Sequence, residues 1–160
     1  SSTAPTMPLN YDFKRLIGWF KRTGGTIVAF HTYELGGGGL EFLWDSPTLD
    51  INLSNTLTTS RRTDALKVPL NVSVISKANY LFADAGSNQY AYIYCPDLTD
   101  IAPSSTVAPL ASIVSIAGTG YIVVMAIRTS STGTVAARST LATVDTYQAA
   151  TIGFEWARRN

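Results

Sequence analysis

The sequence has little charge, one cysteine and one histidine, and each shortage narrows the class of protein. Charged residues make up 14% of the 160 residues, against roughly 25% in an average globular domain. The single cysteine, Cys95, leaves no pair for an internal disulfide, so a small secreted module held by disulfides is disfavoured. The formal net charge is +1 and no basic run exceeds a pair. Because avid binding to nucleic acid needs a basic stripe or arm, we expect no direct binding of that kind.

The few side chains that could carry catalysis are better interpreted as structural. A nucleophilic triad would need His31 close to a serine and a carboxylate, and no G-x-S-x-G pattern occurs. A hydrolase with His31 as its base is therefore an alternative, and a structural or interface histidine is the expectation. Cys95 lies in a strand-like run, which favours a buried, inert thiol. One histidine, one cysteine and scattered acids offer no metal-ligand spacing. We expect no enzyme activity, catalytic residue, cofactor or metal.

Two loop features resemble ligand sites only superficially. Asp97 and Asp100 follow the tyrosine-rich segment, with Asp84 before it. Such carboxylates could bind calcium or act on a glycoside, but aspartate in this context is typical of turns. The four glycines at 36–39 lack the Lys-Ser/Thr of a phosphate loop, so they predict a flexible hairpin turn.

The dominant pattern in the chain is alternation of apolar and polar residues with period two. It is clearest in LDINL (49–53), VPLNVSV (68–74), YAYIYC (90–95) and IGFEW (152–156). That period places successive side chains on opposite faces of a strand, one to bury and one to expose. Apolar residues make up 46% of the chain, and 35 serines and threonines supply a polar but uncharged surface. The sequence predicts an all-β antiparallel sandwich or barrel.

The chain divides into an extended N-terminal arm, residues 1–10, and a single β-sandwich domain, residues 11–160. The arm contains two prolines, and helical spacing at 13–20 predicts a short helical turn that leads into a strand. Asp45-Ser46-Pro47 is predicted to end a strand, and 54–64, 96–109 and 129–143 are predicted loops. The predicted strands, eight to ten in all, are 26–33, 40–44, 49–53, 68–75, 90–95, 113–116, 121–128 and 147–156, and residues 80–82 are predicted to form a strand or a turn.

Three further predictions concern an uncharged stretch, a row of tyrosines and a pair of arginines. Residues 101–127 carry no charge, but prolines and glycines interrupt them, which predicts two buried strands around a turn and no membrane span. Tyr90, Tyr92 and Tyr94 could stack sugars or bases, although we expect a packing row within the core. Arg61 and Arg62 fall in a predicted loop, where their replacement would affect assembly more than folding.

The stretch FKRLIGWFKRTGGTIVAFHTYELGGGGLEFLWDSP, residues 13–47, resembles the middle of picorna-like viral coat proteins. The shared pattern is a basic-apolar segment, a small-residue turn, a β-branched strand, a Gly-rich turn and a strand ending near Ser-Pro. The tail at 147–160, which alternates and contains Arg158-Arg159, is similar to their last strand. Unlike many shell proteins, this chain has no basic arm, though shells of this group often package RNA without one.

The resemblance implies an eight-stranded jelly roll that acts as a structural subunit of an icosahedral capsid in the virion. Its partners would be other capsid subunits, with the arm reaching a neighbour, the packaged nucleic acid contacted only indirectly, and a host receptor possible. The alternative is a phage or virion decoration or receptor-binding β module that recognises a glycan or host surface through exposed aromatic residues.

Overall fold

The computed structural model describes residues 19–104, 106, 111–140 and 142–157. This part of the chain consists of β-strands joined by turns and loops, with a 3-10 turn at Gly36–Gly38 and no α-helix. The arm at 1–10 and most of the helical turn at 13–20 lie outside the described residues. The strands are β1 (Arg22–Thr23), β2 (Thr26–Ile27), β3 (Phe30–Leu35), β4 (Gly39–Leu57), β5 (Arg62–Ala65), β6 (Ile75–Ala83), β7 (Gln89–Tyr94), β8 (Ile113–Ser115), β9 (Tyr121–Arg128), β10 (Thr134–Ser139) and β11 (Val144–Trp156).

The strands form two larger antiparallel sheets and one short hairpin. The five-stranded sheet has the order β3-β4-β11-β6-β9, the four-stranded sheet has the order β5-β10-β7-β8, and β1 pairs with β2. From β4 onwards the chain passes between the two larger sheets at every connection except β7 to β8. The predicted all-β, antiparallel class is confirmed.

The two larger sheets share one core, as period-two patterning requires. Along β6 the burial alternates at every residue, and Ala78, Tyr80 and Phe82 point inward. They belong to the same apolar cluster as Ile93 of β7 and Val135 of β10, which lie in the other sheet. Each fully buried large side chain stabilises the fold by roughly 1.5–3 kcal/mol. The packing is therefore sandwich-like, with one face of each sheet turned inward.

An aromatic cluster extends the core along the inner face of the five-stranded sheet. Phe42 of β4 and Phe154 of β11 are direct cross-strand partners, and their rings stack with centroids 4.7 Å apart. Trp44, Val74 and Trp156 complete the buried part of this cluster. Such cross-strand aromatic pairs hold the register of the two longest strands.

Asp45-Ser46-Pro47 does not end a strand, so that prediction is wrong. Strand β4 runs through this segment to Leu57. Its pairing with β11 shifts from Leu43↔Gly153 to Thr48↔Thr151, so four residues of β4 stand opposite one residue of β11. A bulge absorbs extra residues and a proline without terminating the strand.

Three further predictions about strands are corrected. The segment 68–74 is irregular despite its alternation, with Asn71 at a positive φ of 64°, and β6 begins at Ile75. Strand β5 occupies part of the predicted loop 54–64, and β10 part of the predicted loop 129–143. For β5 and β10, pairing with neighbouring strands overrides weak local preference.

The uncharged stretch at 101–127 contains β8 and β9, as predicted, with a turn between them. The two strands enter different sheets, and β9 is buried on one face only, because Ile127 lies in the core whereas Ile122 and Val124 are largely exposed. The described part of the chain contains no helix long and apolar enough to cross a membrane.

Candidate interaction surface

The tyrosine row of β7 lies on the outer face of the four-stranded sheet. The alternate residues Ala91 and Ile93 belong to the inter-sheet core, so Tyr90, Tyr92 and Tyr94 point away from it. Tyr90 and Tyr92 are half-buried and Tyr94 is buried. The expectation of a packing row inside the core is therefore wrong, because the core takes the smaller and aliphatic members of the strand.

An arginine and two tyrosines form a stacked group on this outer face. The rings of Tyr92 and Tyr94 stack with centroids 4.5 Å apart and planes 11° from parallel. The guanidinium carbon of Arg61 lies 5.6 Å from the Tyr94 ring centroid, a cation–π distance. Arg61 also donates a hydrogen bond to the carbonyl oxygen of Pro96. These contacts cover Tyr94 and leave an aromatic surface next to a positive charge.

Asp100 supplies the negative charge of this group. One of its carboxylate oxygens accepts a hydrogen bond of 2.6 Å from the Tyr94 hydroxyl and lies 3.0 Å from an Arg138 guanidinium nitrogen. A second guanidinium nitrogen of Arg138 donates to the carbonyl oxygen of Thr59, at 2.5 Å. The carboxylate thereby joins β7 to β10 and to the loop that precedes β5.

The protonation states of this network are set by its contacts. Burial, and then the hydrogen bond to Asp100, raise the pKa of Tyr94 to about 12. The hydrogen bond from Tyr94, followed by Arg138, lowers the pKa of Asp100 below its ordinary value. At neutral pH the group therefore holds one carboxylate, a protonated tyrosine and two guanidinium groups. Such a surface can stack a planar or sugar ring and attract an anionic substituent, and its charges stay fixed near pH 7.

The other aspartates have separate roles. Asp84 accepts hydrogen bonds from the amides of Gly86 and Ser87, both at 3.0 Å, and so closes the turn after β6. The turn interpretation is confirmed for Asp84. Asp97 is exposed, while Asp100 pairs with Arg138. In the part of the chain that the structure covers, no group of three or more His, Cys, Asp or Glu residues is suited to a metal ion.

His31 and Cys95 are in different environments. His31 is exposed on the edge strand β3, with Nε2 3.5 Å from a carboxylate oxygen of Asp45. This contact with Asp45 is compatible with the structural alternative for His31 and also supplies one of the two partners that a triad would need. Cys95 directly follows β7 as a half-buried free thiol.

The two adjacent arginines lie in different environments. The prediction that both belong to one loop is therefore corrected. Arg61 lies on the outer surface described above. Arg62 belongs to β5 and makes two hydrogen bonds to Asp64, at 2.7 and 2.6 Å. The pKa of Arg62 is raised, chiefly by this pairing. Replacement of Arg62 should thus affect folding, whereas replacement of Arg61 should affect contacts made by the outer surface.

The glycine segment is a turn, as predicted, and a cavity lies beside it. Gly36–Gly38 joins β3 to β4, and Gly37 and Gly38 have positive φ values of 76° and 80°. The adjoining cavity has a volume of about 970 Å³, and its lining includes Arg128 and Trp156. A strand rather than a helix follows the turn, so the backbone amides have no helix terminus to support a phosphate.

Sequence reasoning found Tyr92, Tyr94 and Asp100 but did not bring them together, and it missed Arg138. Arg138 falls in the predicted loop at 129–143, where no alternation of apolar residues marks a strand. The only available signal was the basic side chain itself among small residues.

Comparisons with family models, with curated proteins and with solved structures found no match to this chain.

Proposed function

We propose that this chain is a jelly-roll structural subunit of a viral capsid, localised in the virion. The observation that carries the proposal is the strand order. The order β4-β11-β6-β9 within the five-stranded sheet and the order β5-β10-β7-β8 of the four-stranded sheet support a jelly roll, in which β3 would be an additional edge strand. Jelly rolls build viral capsids and lectin domains.

The composition of the surface supports assembly with other subunits. The chain has few charges and many hydroxyl groups, and hydroxyls cost less free energy to desolvate than ions do. Large apolar side chains are exposed on several elements, among them Phe20, Leu70 and Ile122. Protein–protein contacts remove such side chains from water. Under this proposal the arm at 1–10 reaches a neighbouring subunit, and the packaged nucleic acid is held by enclosure.

The test is sedimentation of the protein after nuclease treatment, followed by electron microscopy of the fractions that contain it. A shell subunit will co-sediment with nuclease-resistant particles of uniform size. Sedimentation only as a monomer or small oligomer, at every salt concentration and pH tried, would overturn the proposal. Nucleic acid recovered from intact particles and absent from free subunits would support enclosure rather than direct binding.

A second candidate function is glycan or host-surface recognition by the outer face of the four-stranded sheet. The observation in its favour is the stacked pair of Tyr92 and Tyr94 beside Arg61, on the face opposite the core. Aromatic faces stack on sugar rings, and a guanidinium binds carboxylated sugars.

A glycan-array measurement separates this function from capsid assembly. Tyr92→Ala should abolish binding to any glycan that the wild type retains. Tyr33→Ala, at an exposed tyrosine of the other sheet, is the matched control and should bind normally. An equal loss in both variants, or no binding by the wild type, would count against this function.

A further inference from the structure

Strand β9 is an open sheet edge without the usual protection against pairing. Among the described residues it pairs only with β6, over eight consecutive partners with no register shift. Its segment Tyr121–Ile127 has no charged residue, proline or glycine. Edge strands are normally protected by charges, prolines, bulges or short length, because their free amides and carbonyls can pair with another chain.

The other edges of the two larger sheets are better protected. Strand β3 carries His31 and Glu34 and ends in glycines. Strand β5 has four residues, two of them charged, and β8 has only three. The open edge of β9 is thus a distinct feature and not a general property of this fold.

The side chains of β9 also favour a partner. On the outer face of the five-stranded sheet, Ile122 is 70% exposed and Val124 is 63% exposed, and Leu81 of β6 lies directly beside Ile122. A strand added to this edge would satisfy the free backbone groups and cover these apolar side chains at the same time.

We propose that the occupant of this edge is β9 of a second copy of the chain, paired antiparallel about a two-fold axis at Val124. The uncharged segment 121–127 has Val124 as its central residue. An antiparallel pairing centred there opposes Val124 to Val124 of the partner copy and Ile122 to Ala126, so the uncharged segments overlap completely. The outer faces of both sheets then lie on one side, and the two five-stranded sheets become one continuous sheet.

Charge selects this arrangement over a parallel one. Arg128 is the only charged residue of β9. The antiparallel pairing puts the two Arg128 side chains at opposite ends of the interface, eight residues or roughly 27 Å apart at 3.4 Å per residue. That separation exceeds the Debye length of about 8 Å at physiological salt, so the two charges scarcely repel. A parallel pairing in register would place them side by side.

This dimer would be one contact of the proposed shell, and to that extent the inference rests on the proposed function. It can be tested on unassembled protein by cysteine cross-linking in a Cys95→Ser background. Directly opposed residues of an antiparallel pair have Cα atoms about 4.5–5.5 Å apart, which suits a disulfide. Val124→Cys should therefore form a disulfide-linked dimer under mild oxidation.

The matched control is Ile122→Cys, on the same strand and face and slightly more exposed than Val124. In the proposed register its own copies are four residues apart, roughly 13 Å, too far for a disulfide. Ile122→Cys alone should form no disulfide-linked dimer, whereas a mixture of Ile122→Cys and Ala126→Cys chains should cross-link to each other. Equal cross-linking of the two single variants, or none by Val124→Cys, would overturn the inference.

A second measurement does not depend on cysteine variants. Val124→Lys brings two like charges together at the centre of the interface, so the dimer should weaken by about tenfold or more in analytical ultracentrifugation. Leu98→Lys, at a loop residue that is 54% exposed, is the control and should dimerise as the wild type does. Circular dichroism will show that both variants are folded.

The outcomes separate the two proposals. Particles that form although Val124→Cys does not cross-link would refute the β9 contact and leave the capsid function standing. A cross-linked dimer from a chain that never forms particles would support the β9 contact and refute the capsid function. Loss of both would refute both.

Discussion

Among the glycines that the structure describes, Gly153 has the least space for a side chain. It lies in β11 at the register shift opposite the β4 bulge. A Cβ added there would lie 2.0 Å from the carbonyl oxygen of Phe42 and 3.0 Å from the Cα of Leu43. Because both contacts are backbone atoms, no side-chain rotation can relieve them, and β4 would have to move away from β11.

We expect Gly153→Ala to lower the free energy of unfolding by roughly 3 kcal/mol, at the upper end of overpacking effects. Gly36→Ala is the control, since a Cβ at Gly36 meets no atom within 4 Å, and its effect should be within about 0.5 kcal/mol. Urea denaturation of the two variants makes the comparison. A similar small effect at both sites would show that β4 and β11 are not this close.

The network on the outer face gives a prediction about Asp100. The hydrogen bond from Tyr94 is the largest cause of its lowered pKa, so Tyr94→Phe should raise that pKa toward the ordinary value of about 3.9. A carboxylate whose pKa is lowered in the folded protein stabilises the fold at pH values above its pKa in the unfolded chain. This stabilisation is lost as the pH falls through the folded-state pKa. The free energy of unfolding of Tyr94→Phe should therefore fall less on acidification than that of the wild type.

The measurement is an NMR titration of the Asp100 carboxyl carbon. Tyr92→Phe is the control, because Tyr92 stacks on Tyr94 but the hydroxyl that reaches Asp100 is that of Tyr94. The same pKa change in both variants would assign the effect to ring packing instead of the hydrogen bond.

The face on which a residue lies was the hardest property to predict at this scale. In YAYIY (90–94) both alternating sets are apolar or aromatic, so the period establishes a strand without choosing its buried side. The choice depends on which set fits between the sheets. Ala91 and Ile93 fit there, and the tyrosines are left outside, where Arg61 and Asp100 contact Tyr94.

For whole elements, the strands with the strongest alternation were predictable and their ends were not. Strand β9 has the predicted bounds, and β7 differs by one residue at each end. The alternation at 68–74 did not give a strand, because Pro69 lacks an amide for the ladder and Asn71 has a left-handed backbone. Strand β10 is short and rich in alanine. It is a strand because it pairs with its two neighbours, β5 and β7.

A three-residue ion cluster joins the central strands of the five-stranded sheet. The ammonium of Lys77 on β6 lies 2.7 Å from Glu155 of β11 and also contacts Glu41 of β4. These hydrogen bonds, to Glu155 first, raise the pKa of Lys77. Lys77 therefore pairs with two half-buried carboxylates on neighbouring strands, which it screens from each other.

Lys77→Met should destabilise the protein by about 1–2 kcal/mol, because it leaves two carboxylates facing each other without a cation. The effect should be smaller than the roughly 3–5 kcal/mol of a fully buried pair, since water reaches this cluster. Lys67→Met, at an exposed lysine, is the control and should change stability by less than about 0.5 kcal/mol. Thermal unfolding at neutral pH distinguishes them, and equal effects would mean that the cluster contributes nothing specific.

At the scale of the molecule, class and layer arrangement followed from the sequence, but the order of strands did not. Alternation identifies strands that have one face to bury, whereas pairing depends on contacts between distant segments. Strand β11 illustrates the gap: it pairs with β4 and β6, both more than 60 residues earlier in the chain. The tyrosines buried in this arrangement make the stability of the whole fold depend on pH in the alkaline range.

Burial raises the pKa of Tyr80 and Tyr147, both in the inter-sheet core, and also of Tyr94 on the outer face, above the ordinary value of 10.0. A group with a raised pKa keeps its proton in the folded protein after the unfolded chain has lost it. The stabilisation is complete below about pH 10 and is lost as the pH rises toward the folded-state values. Above about pH 10.5 the three tyrosines together should lower stability by up to roughly 4 kcal/mol per pH unit.

Tyr147→Phe tests this origin of alkaline unfolding. The Tyr147 hydroxyl is buried without a hydrogen-bond partner among the described residues, so its removal should cost little stability at neutral pH. It should also reduce the alkaline slope by up to about 1.4 kcal/mol per pH unit, the contribution of one tyrosine proton. Tyr33→Phe, at an exposed tyrosine, should leave the slope unchanged. Urea denaturation from pH 9 to 11.5 measures the slope directly, with tyrosinate absorbance to follow ionisation. If wild-type stability stayed constant over this range, or if Tyr147→Phe kept the full slope, the buried hydroxyls would not be the cause of alkaline unfolding.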